Sequence, residues 1–378
     1  MRLHSLSLRR AALAAAVTCI GALAACSSTT KPKPTPLEEF KPQIAGKVVW
    51  TARVDGVKFP LTVAVNAGKF TLAGDDGRVV ALAADNGREL WSANVGAKIA
   101  AGVGSDGRYA AVVTRDNELV TLDGGKPLWR ATLPSRVETA PLVAGERVFV
   151  MGVDRIVRAF DAIDGRKLWT LDRPGDALTL AKGGVVAAFK DTLIVGQGPR
   201  LAGVDPLKGS VRWEVAVASP RGTNEVERLA DLIGPVARVG DVLCVRSFQS
   251  AVGCVNAETG ALVWTKNVGG SDSVAADPQF VFGADASDRI TAWRAPNGDV
   301  AWTSDKLLYR GLTGPLTVGK TAVFGDSEGF VHFLARADGG MLLRLPTDGS
   351  PVASPPVLSG TTMLVVTQKG GVFAFRPE

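Results

Sequence analysis

Short runs of alternating apolar and polar residues cover most of this chain, and the runs end in a recurring punctuation. Val80-Ala-Leu-Ala-Ala-Asp85, Arg158-Ala-Phe-Asp161 and Gly253-Cys-Val-Asn256 each lead into a polar turn, then a Gly, and four residues after that Gly a Trp. The pairs are Gly46/Trp50, Gly87/Trp91, Gly125/Trp129, Gly165/Trp169, Gly209/Trp213, Gly260/Trp264 and Gly298/Trp302, and an eighth copy reads Gly340/Arg344, with Arg in the Trp slot. Seven of the eight Trp residues fall in this slot, so it defines a structural repeat. The local unit is a strand, a Gly-bearing turn and a second strand that starts at Leu-Trp.

Successive slots are 41, 38, 40, 44, 51 and 38 residues apart, then 42 to Arg344. A period near forty with strand patterns and no helical periodicity predicts an all-β fold, a β-propeller of four-stranded blades. The third repeat is typical: Pro141-Leu-Val, Arg147–Met151, Ile156–Phe160 and Lys167–Thr170 are its four strands. Turns such as Gly74-Asp-Asp-Gly77 and Gly325-Asp-Ser-Glu-Gly329 carry residues that tolerate positive φ. One blade cannot bury both faces, so blades must stack and the ring must close. The ends show how: the last repeat stops at Gly371–Glu378 without a slot, while Gly46-Lys-Val-Val-Trp50 is a slot with no repeat before it. The N-terminal strand is therefore expected to complete the C-terminal blade, giving eight blades and no open edge at the seam.

Ahead of the propeller, residues 1–25 have a basic front at Arg2, Arg9 and Arg10 and an apolar run from Ala11 to Ala25, the pattern of an export signal too short to span a membrane. Leu23-Ala-Ala-Cys26 resembles the lipobox of bacterial lipoproteins, which implies cleavage before Cys26 and acylation of that residue. Multiple acyl chains anchor a soluble domain stably. Ser27 and Ser28, in place of the Asp that retains lipoproteins in the inner membrane, imply the outer membrane. Residues 26–43 are rich in Pro and Lys and read as a semi-extended tether with a reach of roughly 50 Å. Residues 44–378 form the propeller.

Removing Arg2, Arg9 and Arg10 takes the net charge from +6 to +3 (6 − 3), too little for the Lys/Arg stripe of a nucleic-acid binder. Cys244 and Cys254 flank a turn at 248–250, and either a cross-strand disulfide or two buried thiols fits that spacing. His332 is the one histidine outside the signal segment, in the strand pattern Phe330-Val-His-Phe-Leu334, and reads as a packed strand residue. No His/Cys cluster has metal spacing, and Asp75-Asp76 and Asp326-Ser-Glu328 sit at hairpin tips without the loop length of a calcium site. Two stretches depart from the repeat: 172–183, with Leu178 and Leu180, and the charged insertion 219–231. Propellers carry function on such inter-blade loops.

The repeat resembles that of quinoprotein dehydrogenases, eight-bladed propellers that hold pyrroloquinoline quinone and Ca²⁺ on their axis. The adjacent cysteines that many of them carry are absent here. Lipobox, tether and eight blades together resemble the BamB family, the propeller lipoproteins of the outer-membrane β-barrel assembly machinery. Glu225-Val-Glu-Arg-Leu-Ala-Asp231, Leu307–Leu316 and Gly325–His332 carry the most specific local matches. The resemblance implies a non-enzymatic scaffold without a cofactor, on the periplasmic face of the outer membrane. It would bind the POTRA domains of BamA and assist folding and insertion of outer-membrane proteins, with nascent clients as further contacts. It also implies a contact through a Leu-x-Leu-Arg-Gly element, which here reads Leu178-Thr-Leu180-Ala181-Lys182-Gly183, with Ala in the Arg position. Leu178, Leu180 and Lys182 are thus candidate partner contacts, and Glu225, Arg228 and Asp231 on the next loop are expected to set orientation at the rim. The alternatives are another lipoprotein propeller binding peptide or peptidoglycan, and a quinone-dependent dehydrogenase.

Overall fold

The computed structural model describes residues 32–173, 178–220 and 223–377, all strand and loop apart from single turns. Eight antiparallel four-stranded sheets make up the fold among the described residues. Seven are continuous, spanning 64–94, 99–132, 142–171, 186–216, 232–266, 275–304 and 316–346, and are numbered here blades 1 to 7. In blade 8, Gly46–Arg53 pairs antiparallel with Gly371–Pro377, outside Thr362–Val366 and Val357–Ser359, so the N-terminal strand closes the ring as its sequence anticipated. The first strands of successive blades pack on one another around the axis, including the closing step between Ala64–Asn66 and Val357–Ser359.

The burial of each strand follows from its place in the stack. Middle strands, covered on both faces by neighbouring blades, are buried throughout, as in Tyr109–Thr114, and read as continuous apolar runs. Outer strands such as Glu89–Asn94 have only one covered face and alternate with exposed positions.

The Trp slots are the joints between blades. Each pairing of third and fourth strands shifts register at the slot; in blade 3, Ala159 faces Trp169 and Phe160 faces Lys167, leaving Leu168 bulged. The same shift falls at Trp50, Trp91, Trp129, Trp213, Trp264 and Trp302. The bulge turns the indole toward the next blade. There the N–H donates to a backbone carbonyl: Trp50 to Ala84 at 3.1 Å, Trp129 to Ala162 at 2.9 Å, Trp169 to Pro206 at 3.0 Å, Trp264 to Ala295 at 2.8 Å and Trp302 to Arg336 at 2.8 Å. Trp91 and Trp213 are held by the same packing, since a Cβ on Gly125 or on Gly260 would sit 2.8 Å from their rings. The repeat Gly lies flat on the indole throughout: a Cβ on Gly87 would come within 2.5 Å of the Trp50 ring, and its φ of +71° also favours Gly. Trp264 is buried, while Trp91, Trp129 and Trp213 keep one ring edge partly open at the outer wall.

The same register corrects the eighth slot. Phe333 faces Leu343 and Leu334 faces Met341, so Leu342 is bulged and Leu343, not Arg344, stands in the Trp position. The Gly that rests on Trp302 is Gly339, and Gly46 approaches Leu343. Arg344 instead faces His332 on the neighbouring strand.

Cys244 and Cys254 are directly opposed across Val242–Ser247 and Ala251–Asn256 and are joined by a disulfide, which settles the open alternative. The stretch read as a free tether is docked from Thr35 onward. The Thr35 N–H donates to Leu308 O at 2.9 Å and the Gln43 N–H to Leu342 O at 2.8 Å. Leu37 packs against the buried cluster that includes Leu307 and Leu312, Arg344 lies over the Phe40 ring at 5.2 Å, and Arg344 and Arg310 donate to the Glu38 and Thr35 carbonyls. Two apolar side chains three residues apart, Leu37 and Phe40, convert a polar segment into a strap along blade 7. No described helix is long and apolar enough to cross a membrane. Cys26 lies outside the described residues.

Candidate partner-binding site

Because the four strands of a blade alternate in direction, the turn between second and third strands and the link to the next blade leave from the same end. Loops 172–185 and 217–231 are both such links, and they meet over the 152–156 turn of blade 3. Arg155 Nη2 donates to Leu178 O at 3.0 Å and to Asp231 Oδ1 at 2.9 Å, while Asp231 Oδ2 accepts the Leu180 N–H at 2.7 Å. Both side chains of this ion pair are only 15% exposed. Asp231 is therefore a clamp between the two loops and not the rim charge that the sequence suggested, because its carboxylate is already spent on Arg155 and a backbone amide. Lys182 Nζ reaches Asp272 Oδ2 at 2.7 Å on the link between blades 5 and 6, which ties the first loop across the mouth of the ring.

Leu178 and Leu180 are partly buried, Ala181 is exposed, and Lys182 is partly buried by its bridge. In the second loop Asn224 and Glu227 bond reciprocally: Asn224 Oδ1 accepts the Glu227 N–H at 2.9 Å and Glu227 Oε1 accepts from Asn224 Nδ2 at 2.9 Å. Glu227 Oε2 also accepts the Thr223 N–H at 2.8 Å, and with Asn224 as the cap these bonds wind 224–229 into one turn. Glu225 and Val226 stand out from that turn, Val226 at 72% exposure, while Arg228 is partly buried. The structure thus brings Leu178, Leu180, Lys182 and Asp231 into one bonded platform with Glu225, Val226 and Arg228 on the adjoining turn. The slot residues Trp50, Trp91, Trp129, Trp169, Trp213, Trp264 and Trp302 take no part in it, since they are committed to the joints between blades.

The axial cavity of about 330 Å³ is lined by first-strand residues such as Ala64, Leu142, Val186 and Val236, with Lys182 and Asp272 among its lining. Asp272 is its one carboxylate among the described lining residues, and Lys182 neutralises it. This donor set does not suit a divalent cation with an anionic quinone.

Behind the strap, blade 7 holds a buried charged cluster built from the two other distinctive segments. Arg310 Nε donates to Asp326 Oδ2 at 2.8 Å, and His332 Nε2 lies 2.9 Å from the same oxygen. All three side chains are essentially inaccessible. Burial pushes the His332 imidazole down, and its hydrogen bond to Asp326 offsets part of that shift. Burial opposes ionisation of Asp326, but the bonds from His332, the Phe330 amide and Arg310 hold its carboxyl below the usual range. His332 is thus the packed strand residue expected of it, fixed by a carboxylate. Elsewhere Arg246, wholly buried, donates to the carbonyls of Val268, Gly269 and Ala284, and burial pushes it down to about 10.

Comparison with known proteins places this geometry. A family model described as "Outer membrane protein assembly factor BamB" matches residues 75–304. A protein of that name from Burkholderia pseudomallei is 37% identical over 97% of this chain and 98% of its own length. The chain belongs to the BamB family. A Bordetella pertussis BamB is 33% identical over 96% of both chains. The crystal structure of BamB from Moraxella catarrhalis superposes with a TM-score of 0.80 at 22% identity, covering 88% of this chain and all of that one. A quinohemoprotein alcohol dehydrogenase from Comamonas testosteroni reaches 0.65 at 15% identity over 88% of this chain and 76% of its own, a likeness of fold alone. Membership in an assembly-factor family settles the choice between scaffold and enzyme in favour of the scaffold.

Arg155 and Asp272, which hold the BamB-like loops in place, were not visible beforehand. Arg155 is 76 residues from Asp231, and its one local signal is a charged residue at a turn of positive φ.

Proposed function

We propose that this chain is a non-enzymatic scaffold subunit of the outer-membrane β-barrel assembly complex, binding the periplasmic POTRA domains of BamA through the 178–182 and 224–231 loops. It is held at the periplasmic face of the outer membrane by acyl chains on Cys26. The observation that carries this reading is full-length similarity to BamB proteins combined with two inter-blade loops locked into a single platform. Such a platform is preorganised, so little ordering cost falls on binding. Leu178 and Leu180 are the apolar anchors; Asp231 acts through the loop it holds.

Two experiments test it. Leu178→Ala with Leu180→Ala is expected to weaken the complex with immobilised POTRA domains about thirtyfold, from roughly 2 kcal/mol for truncating an interface anchor, with the melting temperature unchanged. A large drop in melting temperature would mean that the leucines belong to the core, and unchanged affinity with unchanged stability would place the interface elsewhere. For the anchor, Cys26→Ser is expected to abolish incorporation of radiolabelled palmitate. Retained label with an unchanged mass would remove the lipoprotein reading.

A further inference from the structure

A cavity of substantial size lies away from the partner platform, at the seam. It holds about 670 Å³ between blades 7 and 8, on the face opposite the long loops, and Leu343 and Gly46 are part of its wall. Its origin is structural. At the other slots an indole fills this space, and the corresponding groove between blades 3 and 4, beside Trp169, is only about 200 Å³. At the seam the slot holds Leu343. The turn that covers a slot from the next blade is also missing there, because the ring is joined between Pro377 and Gly46 and not through a hairpin. What stays open is an indole cradle without its indole.

The walls are Phe280, Phe333, Leu345, Leu358, Met363 and Phe375, with Gln43 and Ile44 of the strap at one lip. Phe333, Leu345 and Leu358 remain only partly buried, although they pack on the blade 8 core. The rim is charged in one sense. Lys320 is exposed and has no ion-pair partner among the described residues. The Arg376 guanidinium turns away from the cavity to blade 1, donating to the Thr362 hydroxyl and to the carbonyls of Ala84 and Asp85. Arg336 is balanced by Asp277. No carboxylate is present among the described lining residues. An apolar cavity of this size with a few convergent polar groups matches the general form of small-molecule sites, about 300 to 1,000 Å³. An uncompensated cation at its mouth, Lys320, with no carboxylate in the described wall, selects an anion.

From the vacant slot and this charge pattern we infer that the seam is a binding site for a single-chain anionic amphiphile of the fatty-acid class. The acyl chain lies on Phe333, Leu345 and Leu358, and the carboxylate meets Lys320. A free indole or an aromatic peptide side chain would satisfy the cradle but leave Lys320 without a partner, so the amphiphile fits better. The site is independent of the partner platform, which lies on the other face.

The test is calorimetric titration of palmitate and of hexadecanol into an unlipidated chain starting at Ser27, which retains the compact unit Thr35–Glu378. Palmitate is expected to bind once per chain in the micromolar range, and hexadecanol about tenfold more weakly. Lys320→Glu is expected to weaken palmitate roughly tenfold and to change hexadecanol less than twofold, a ratio set by one exposed ion pair converted to a repulsion. Leu343→Trp restores the indole and is expected to abolish both titrations without lowering the melting temperature. Leu358→Trp, which fills the cavity from the opposite wall, is expected to do the same should Leu343→Trp fail to fold. Absence of saturable palmitate binding, or palmitate binding unchanged in the folded Trp variant, overturns the inference. So does tighter binding of N-acetyltryptophanamide than of palmitate, which would make the slot a site for aromatic side chains.

Discussion

A chain that begins after Arg53 is expected not to fold cooperatively. Gly46–Arg53 is the outer strand of blade 8, paired along its length with Gly371–Pro377. Removing it also removes Trp50, whose ring lies against Phe70 and Gly87 and whose N–H is bonded to Ala84 O. Loss of the indole alone costs about 3 to 5 kcal/mol on the scale of large-to-small core substitutions. That is a large part of the 5 to 15 kcal/mol by which domains are typically stable. In addition, Gly371–Pro377 becomes an uncovered edge, a template for pairing with other chains. Circular dichroism and light scattering on heating should show a broad, aggregating transition. A sharp transition at the temperature of the full chain would show that the ring is closed without this strand.

The second large effect is expected at Asp326. Asp326→Ala deletes the buried carboxylate that Arg310 Nε and His332 Nε2 share and leaves the buried guanidinium with only the half-exposed Glu328 as counter-ion. Breaking a buried pair from one side costs about 3 to 5 kcal/mol. Arg310 also holds the Thr35 carbonyl, so the strap should loosen with it, and proteolysis within 32–43 should accelerate in parallel with the fall in melting temperature. Unchanged stability would mean that the cluster is replaceable by packing.

The same cluster sets a pH dependence. His332 has its folded pKa depressed below the ordinary 6.5, so between its folded and unfolded values the unfolded chain binds the extra proton. Its contribution is present above about pH 6.5 and is lost as the pH falls below that value. Asp326, also depressed, adds a second loss that begins below the ordinary carboxyl value of 3.8. Arg344 Nε donating toward His332 Nδ1 at 3.4 Å fits the neutral imidazole and opposes its protonation. Replacing His332 with Gln should flatten the first of these two steps in a plot of melting temperature against pH.

The ring, the blade count and the seam strand were legible because a repeating slot is a local signal copied around the whole fold. Trp and Gly four residues apart reported a joint that each blade needs, from Trp91 and Trp129 early in the chain to Trp213 and Trp264 beyond its middle. The eighth slot was misassigned for an equally local reason. Gly339 and Gly340 are adjacent, and only the strand register shows that the first of them rests on the neighbouring indole, which shifts the slot from Arg344 to Leu343. The Cys244–Cys254 bridge stayed open because it depends on register across a hairpin. Leu178 and Leu180 could be picked out because apolar residues in a long link are unusual. The role of Asp231 could not, since its partner Arg155 lies a blade away. The strap was hidden by composition: Pro and Lys dominate 31–43, and the two side chains that dock it are only Leu37 and Phe40.

On the proposal that Cys26 carries the acyl chains, that strap shortens the leash. Counted from Cys26 to the first strand the chain has twenty steps to Gly46, but docking at Thr35 leaves nine, since 35 − 26 = 9. At about 3.1 Å each in extended polyproline geometry, nine steps span roughly 28 Å. A propeller so anchored would sample a thin layer beside the bilayer. A membrane-embedded partner would then meet it at a local concentration fixed by the leash and not by the volume of the compartment.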